Sequence, residues 1–145
     1  MSDGSTPEHT EVIQAHGHEN VSGEHESTFE VTSDDFLTPA GDCILGIEAD
    51  RTPADFDEDF VAACQDAEAT IEITLSVGDR SQTVQGSGHP ELTFDGDRSA
   101  VVRTSDYVDD RTVAVDAEMA AADLNRDLVD ALADGATLTV SLTVF

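Results

Sequence analysis

The segment Ala69-Thr70-Ile71-Glu72-Ile73-Thr74-Leu75-Ser76-Val77 returns near the end of the chain as Ala136-Thr137-Leu138-Thr139-Val140-Ser141-Leu142-Thr143-Val144. Both copies alternate apolar and polar residues at period two, the pattern of a strand with one buried and one solvated face. Other pairs keep the same order along the chain. Gly17-His18 recurs as Gly88-His89, Thr32-Ser33-Asp34 as Thr104-Ser105-Asp106, and Ile47-Glu48-Ala49 as Val115-Asp116-Ala117. Ala54-Asp55-Phe56 is answered by Ala122-Asp123-Leu124, and Asp59-Phe60-Val61 by Asp127-Leu128-Val129. The separations run 71, 72, 68, 68, 68 and 67 residues. Six ordered matches point to an ancestral duplication.

Each half carries the same coarse pattern. A first strand (11–15; 81–85) runs into a Gly-His turn; a second extended stretch, a third strand (27–32; 99–104) and a fourth (43–49; 112–117) follow. One helix then leads to the long terminal strand. In the first half Thr52 is placed to cap the helix, with Pro53 at its first position, where a missing N–H costs nothing. Phe56, Phe60 and Cys64 make one apolar stripe, matched by Leu124, Leu128 and Leu132, with Gly135 as the stop. Val77-Gly78-Asp79-Arg80 reads as a tight hairpin joining the halves. The expected fold is therefore mainly β: a two-copy, pseudo-symmetric β-sandwich or closed barrel with one short helix per half. Residues 1–10 read as a disordered acidic tail, and 11–145 as a single domain of two repeats, 11–77 and 81–144.

The chain of 145 residues carries 32 acidic residues against 6 basic ones, a net charge of −26. All six bases are arginines, and there is no lysine. The acids are scattered among apolar positions, as in Asp55-Phe56-Asp57-Glu58-Asp59-Phe60. Such a chain repels itself in dilute buffer. At ~1 M salt, with a Debye length of about 3 Å, most of that repulsion is screened. This is the composition expected of a haloarchaeal protein in a cytoplasm rich in K+. In molar salt acidity says little against nucleic acid, yet no basic stripe or aromatic platform supports it. No apolar run is long enough to span a membrane, and the polar start is unlike a signal peptide. Cys43 and Cys64 form no CxxC pair, so both are expected as free thiols in a reducing compartment.

Residues that break the repeat are the better candidates for function. The first copy is longer between Asp34 and Ile47, by four residues on these separations, and the extra loop ends in Asp42-Cys43. Four of five histidines lie in the first half. His16, His18 and His25 are candidate metal ligands, since imidazole suits zinc, copper, nickel and iron. Their spacing makes one weak pair, not a paired zinc signature. His18 and His89 admit two readings. Either each marks a turn with glycine at positive φ and the ring bonding nearby backbone, or the two turns meet in a composite site across the repeat axis. His18, His25, Asp42, Cys43 and His89 form the candidate cluster. Cys43, opposite Thr112 in the repeat, is either a buried strand start or a thiol whose pKa the neighbouring Asp42 raises. Cys64, opposite Leu132, belongs to the core. Arg51, before the first helix, and Arg103 and Arg111, flanking Thr104-Ser105-Asp106, could each clamp an anion, but each is expected to pair with an acid. No phosphate-binding glycine loop, Gly-x-Ser-x-Gly elbow or HExxH helix occurs.

Gly17-His18-Glu19-Asn20-Val21, His25 ahead of Thr28-Phe29-Glu30-Val31-Thr32, and Leu37-Thr38-Pro39-Ala40-Gly41-Asp42-Cys43-Ile44 are more specific than their parts. With Gly88-His89-Pro90 and Ala120-Ala121-Ala122-Asp123-Leu124, they resemble the archaeal domain-of-unknown-function family 371 over nearly the whole chain after the tail. The resemblance implies a sandwich-like, mainly β fold and an archaeal source, and it brings no activity. The Gly-His turns, His25 and Gly41-Asp42-Cys43 look like that family's signature positions. Ala40 stands where members tend to carry a basic residue, and Glu19 where they carry proline. The sequence thus favours a non-enzymatic ligand-binding, protein-binding or accessory module. The alternative is a metal- or histidine-dependent enzyme at the candidate cluster. It assigns no cofactor and no partner.

Overall fold

In the computed structural model, residues 9–145 are described; most of the expected acidic tail lies outside them. The strands are β1 (His9–His16), β2 (Thr28–Thr32), β3 (Ile44–Gly46), β4 (Thr70–Val77), β5 (Arg80–Ser87), β6 (Ser99–Arg103), β7 (Thr112–Ala114) and β8 (Thr137–Val144). The helices are α1 (Glu58–Cys64) and α2 (Arg126–Ala133). The first sheet has the order β1-β8-β4-β5 and the second β3-β2-β6-β7. β1 starts at His9, so the last two residues expected as tail are paired with Val144 and Thr143.

Period-two alternation decides which face is buried. Ile71, Ile73, Leu75 and Val77 of β4 meet Leu138, Val140, Leu142 and Val144 of β8 on the inner face of the first sheet. Phe29 and Val31 of β2, with Ala100 and Val102 of β6, close the core from the second sheet. The void left between the sheets is about 10 Å³, the room of at most one water, so any ligand must bind outside it.

The sheets do not close into a barrel. They touch at two corners through single bridges, His16 with Ile47 and Ser87 with Val115. Further along, the edges are occupied by side chains and loop backbone. Asp50 exchanges hydrogen bonds with Gln14 of β1 (2.9 Å each way), and Glu118 does the same with Gln85 of β5 (3.0 and 3.2 Å). Edge N–H and C=O groups satisfied in this way cannot continue a ladder.

The helices are shorter than the apolar stripe suggests. Pro53–Asp55 is a turn of 3₁₀ helix, and α1 restarts after Phe56 with Asp57 as its cap, accepting from the Asp59 N–H at 2.8 Å. The cap expected at Thr52 works in reverse: the Asp55 carboxylate accepts from the Thr52 N–H (2.9 Å) and hydroxyl (3.2 Å). Ala121–Asp123 and Asn125 repeat the arrangement before α2. The stripes themselves are buried as expected, and Gly135 ends α2 at φ +89°.

The junction between the outer strand and the helix is built twice with different chemistry. Buried Glu11 accepts from Arg51 (2.6 Å) and from the Asp57 N–H (2.8 Å). In the second half, Gln82 accepts from the Asn125 N–H (2.8 Å) and its amide faces the Met119 sulfur (3.4 Å). An ion pair in one half stands where the other uses neutral groups.

Candidate functional site

The Gly-His turns serve as joints. A Cβ on Gly17 would run into the carbonyl oxygen of Leu132 in α2, and one on Gly88 into that of Cys64 in α1. Neither glycine has positive φ; Gly23, Gly78 and Gly135 do. The expectation of positive φ is therefore corrected: the turns need glycine because a strand end from one half presses on the helix end of the other. The Gly17 N–H donates to Ala136 O (2.8 Å) and the Gly88 N–H to Ala69 O (3.0 Å). His18 Nδ1 accepts from the Asn20 N–H (3.0 Å) and His89 Nδ1 from the Glu91 N–H (3.0 Å). Both rings close their own turns.

The two turns do not meet. His16 pairs with Thr137 at one end of β8, while Ser87 pairs with Thr70, which bonds Phe145 just beyond the other end. Eight residues of strand separate those levels, roughly 27 Å. His89 is thus removed from the candidate cluster, and the composite-site reading fails on distance. His16 ends β1 with its side chain exposed, and His18 is turned into its own loop. Among the described residues, no group of three His, Cys, Asp or Glu is arranged to hold a metal, so the proposed ligands His16, His18 and His25 do not converge.

His25, Asp42 and Cys43 do come together. The Asp42 carbonyl accepts from the Glu24 and His25 N–H groups (3.1 and 3.3 Å), and the Cys43 carbonyl from the Glu30 N–H (2.9 Å). His25 Nδ1 lies 3.2 Å from the N–H and from the hydroxyl of Thr28. The Cys43 thiol donates to Glu30 Oε1 at 3.4 Å. Burial, then the charge of Glu30, pushes that thiol up to about 11. Cys43 is not the counterpart of Thr112: its carbonyl bonds β2 as the carbonyl of Arg111 bonds β6 (2.9 Å each). Equivalent bonds also join Asp34 with Glu48 and Ser105 with Asp116, so the stretch between the bonded positions is three residues longer in the first half of the chain, not the four expected from the sequence separations.

These groups lie on the outer face of the second sheet. Pairing sets Thr28 beside Arg103, Glu30 beside Val101 and Thr32 beside Ser99. Around them stand three of the six arginines. Arg98 forms a two-pronged pair with Asp34, whose carboxyl it holds below the usual range. Arg103 donates to Thr112 Oγ1 (2.8 Å) and Asp109 (3.1 Å), and Arg111 donates to Asp109 (3.1 Å). Burial opposes ionisation of Asp109, but bonds from Thr112 and Arg111 and the charge of Arg103 prevail and bring it down to about 2. The Arg103 guanidinium sits 4.8 Å from the ring centre of Tyr107, which is 59% exposed. Arg126 bonds backbone carbonyls. It donates to the carbonyls of Gly23 (3.1 Å), Ala121 (2.7 Å) and Leu124 (3.1 Å). Cys64 is inaccessible, and burial raises its thiol to about 12. Sequence reasoning passed over Glu30, Arg98, Arg103, Asp109 and Arg111 as a group. Their convergence comes from pairing β2 with β6, whose partners lie about seventy residues apart.

The family model for a domain of unknown function, DUF371, matches residues 13–145. The chain belongs to this family. Over 133 residues it is 38% identical to an uncharacterized protein of Methanocaldococcus jannaschii, a match covering 92% of this chain and 98% of that protein. The DUF371 match takes in both Gly-His turns and both sheets. Among the described residues, no helix of this DUF371 chain is long and apolar enough to cross a membrane.

Proposed function

We propose that this DUF371 domain is a non-enzymatic recognition module that contacts an anion-bearing partner through the outer face of β2 and β6. The observation that carries this reading is the gathering of Arg98, Arg103 and Arg111 along the outer face of β2 and β6, with exposed Tyr107 lying against Arg103, in a chain with six arginines and no lysine. Tyrosine and arginine are enriched among the residues that dominate binding energy at interfaces: tyrosine brings a large ring with few rotors to freeze, and arginine a planar fork that meets carboxylate and phosphate with two parallel bonds. Arg98 and Arg111 keep much of their side chains in solvent (64% and 46%), so they can reach a partner. The alternative, a metal- or histidine-dependent enzyme, finds less support. The Cys43 thiol stays protonated near neutrality, and His25 Nδ1 is taken up by its own turn.

The test is a thermal-shift series with inorganic phosphate, citrate and polyphosphate at constant KCl. A rise in Tm that disappears in the Arg98→Gln/Arg111→Gln double variant supports the reading. No rise with any of the anions, or a rise the variant retains, overturns it.

The same reading extends to origin and setting. Exchanging β1–β4 with β5–β8 leaves both sheet orders unchanged, and Glu48 and Asp116 share positive φ (55° and 51°). These support a single domain of two ancestral repeats, 11–77 and 81–144. The net charge of −26 supports a haloarchaeal cytoplasm. Circular dichroism that stayed unchanged on dialysis from molar KCl into dilute buffer would count against that setting.

A further inference from the structure

The outer face of the first sheet is nearly free of charge. Sixteen side chains occupy it: Thr10, Val12, Gln14 and His16 of β1, the alternate residues 137–143 of β8 and 70–76 of β4, and Ser81, Thr83, Gln85 and Ser87 of β5. Eleven are serine or threonine, and the one carboxylate is Glu72. That carboxylate is held by the Gln85 amide at 3.1 Å. The chain as a whole has 32 acids in 145 residues, and Asp50 and Glu118 stand at the two edges of this same sheet. A strand face turned only to water has no need to exclude carboxylates.

We infer that this face is where a second copy of the chain docks, sheet against sheet. Charge decides the occupant. Two chains of net charge −26 repel through every acidic surface they present, and a face with one carboxylate among sixteen side chains lets them approach with little repulsion. A basic partner would be drawn to the acids instead. The chemistry is also self-complementary. A hydroxyl both donates and accepts, so a threonine and serine lattice can hydrogen-bond to its own copy, which a carboxylate lattice cannot. Cross-strand pairs of hydroxyls already do this within one chain, Thr74 with Thr83 at 2.9 Å and Thr10 with Thr143 at 3.2 Å. Four strands about 4.8 Å apart and eight residues at ~3.4 Å span roughly 19 by 27 Å, or about 500 Å² per copy. Two copies therefore bury about 1,000 Å², the lower bound for a specific interface. The expected dimer is weak and concentration-dependent.

Sedimentation equilibrium of the full chain at about 1 M KCl, where charges are screened beyond ~3 Å, tests this directly. The expected result is a monomer–dimer equilibrium. Ser141 lies in the central row Val12-Ser141-Thr74-Thr83. Ser141→Asp is expected to weaken association at least tenfold, while Ser141→Asn and the loop variant Thr38→Asp leave it within twofold. Threonine-methyl NMR of the unmodified chain needs no variant. On dilution the Thr74, Thr139 and Thr143 signals shift, and Thr28 and Thr38 do not. A monomer at every concentration, a dimer indifferent to Ser141→Asp, or dilution shifts confined to Thr28 and Thr38 would each overturn the inference.

Discussion

Replacing Gly17 by alanine isolates what the Gly-His turn requires. The new methyl points into the backbone of Leu132, which cannot swing aside as a side-chain tip would. The end of α2 must retreat by about 1 Å, and shifts of that kind in a packed structure cost about 1–3 kcal/mol. The Gly17 N–H to Ala136 bond (2.8 Å) is strained with it, adding about 1 kcal/mol. The expected loss is therefore about 2–4 kcal/mol, or roughly 5–15 °C in Tm for a domain of this size. Gly78→Ala is the control. Gly78 has φ +61° and open space around its Cβ position, so its cost is conformational only, about 1–2 kcal/mol. Urea denaturation at fixed molar KCl measures both. A Gly17→Ala variant within 0.5 kcal/mol of the parent, or one less harmed than Gly78→Ala, would refute the argument that close approach dictates the glycine.

Three further outcomes follow from the same structure. With its thiol at about 11 against an ordinary 9.0, Cys43 should alkylate about a hundredfold more slowly at pH 8 than a free thiol of equal access; Glu30→Gln should speed it, as read by iodoacetamide kinetics. Asp109 is depressed to about 2, so its contribution is present above about pH 4 and fades as pH falls toward 2. Asp109→Asn should remove about 1–2 kcal/mol of that, after allowance for partial exposure, and should flatten the acid limb of a stability-versus-pH curve. Glu11→Gln alone should cost about 1–3 kcal/mol, because it takes the carboxylate from the 31%-exposed Arg51 side chain and leaves that charge only the carbonyls of Val12 and Asp55. The triple change Glu11→Gln, Arg51→Met, Asp57→Asn copies the neutral junction of the second half and should recover at least half of that loss in the same denaturation assay.

Much of the architecture was legible because strands and apolar stripes are local codes. Ile71 to Val77 and Leu138 to Val144 alternate in the sequence and are buried alternately in the fold. The Gly78 hairpin and the Gly135 stop were equally readable, since each rests on one residue's backbone freedom. The break of each helix at Phe56 and Leu124 was not, because the apolar spacing runs through it unchanged while the backbone turns away.

Sequence alone determined the period of the strands, the order of the elements and the free state of Cys64 as a core residue. It also brought His25, Asp42 and Cys43 under suspicion together, since they are near one another along the chain. Tertiary structure decided everything that depends on which strand lies beside which. It parted His18 from His89, set Arg98, Arg103 and Arg111 around Glu30, and left one sheet face almost without charge. The physical reason is that periodicity reports only whether a side chain faces inward. Partners in the paired β2 and β6 are about seventy residues apart, and no local pattern encodes that distance.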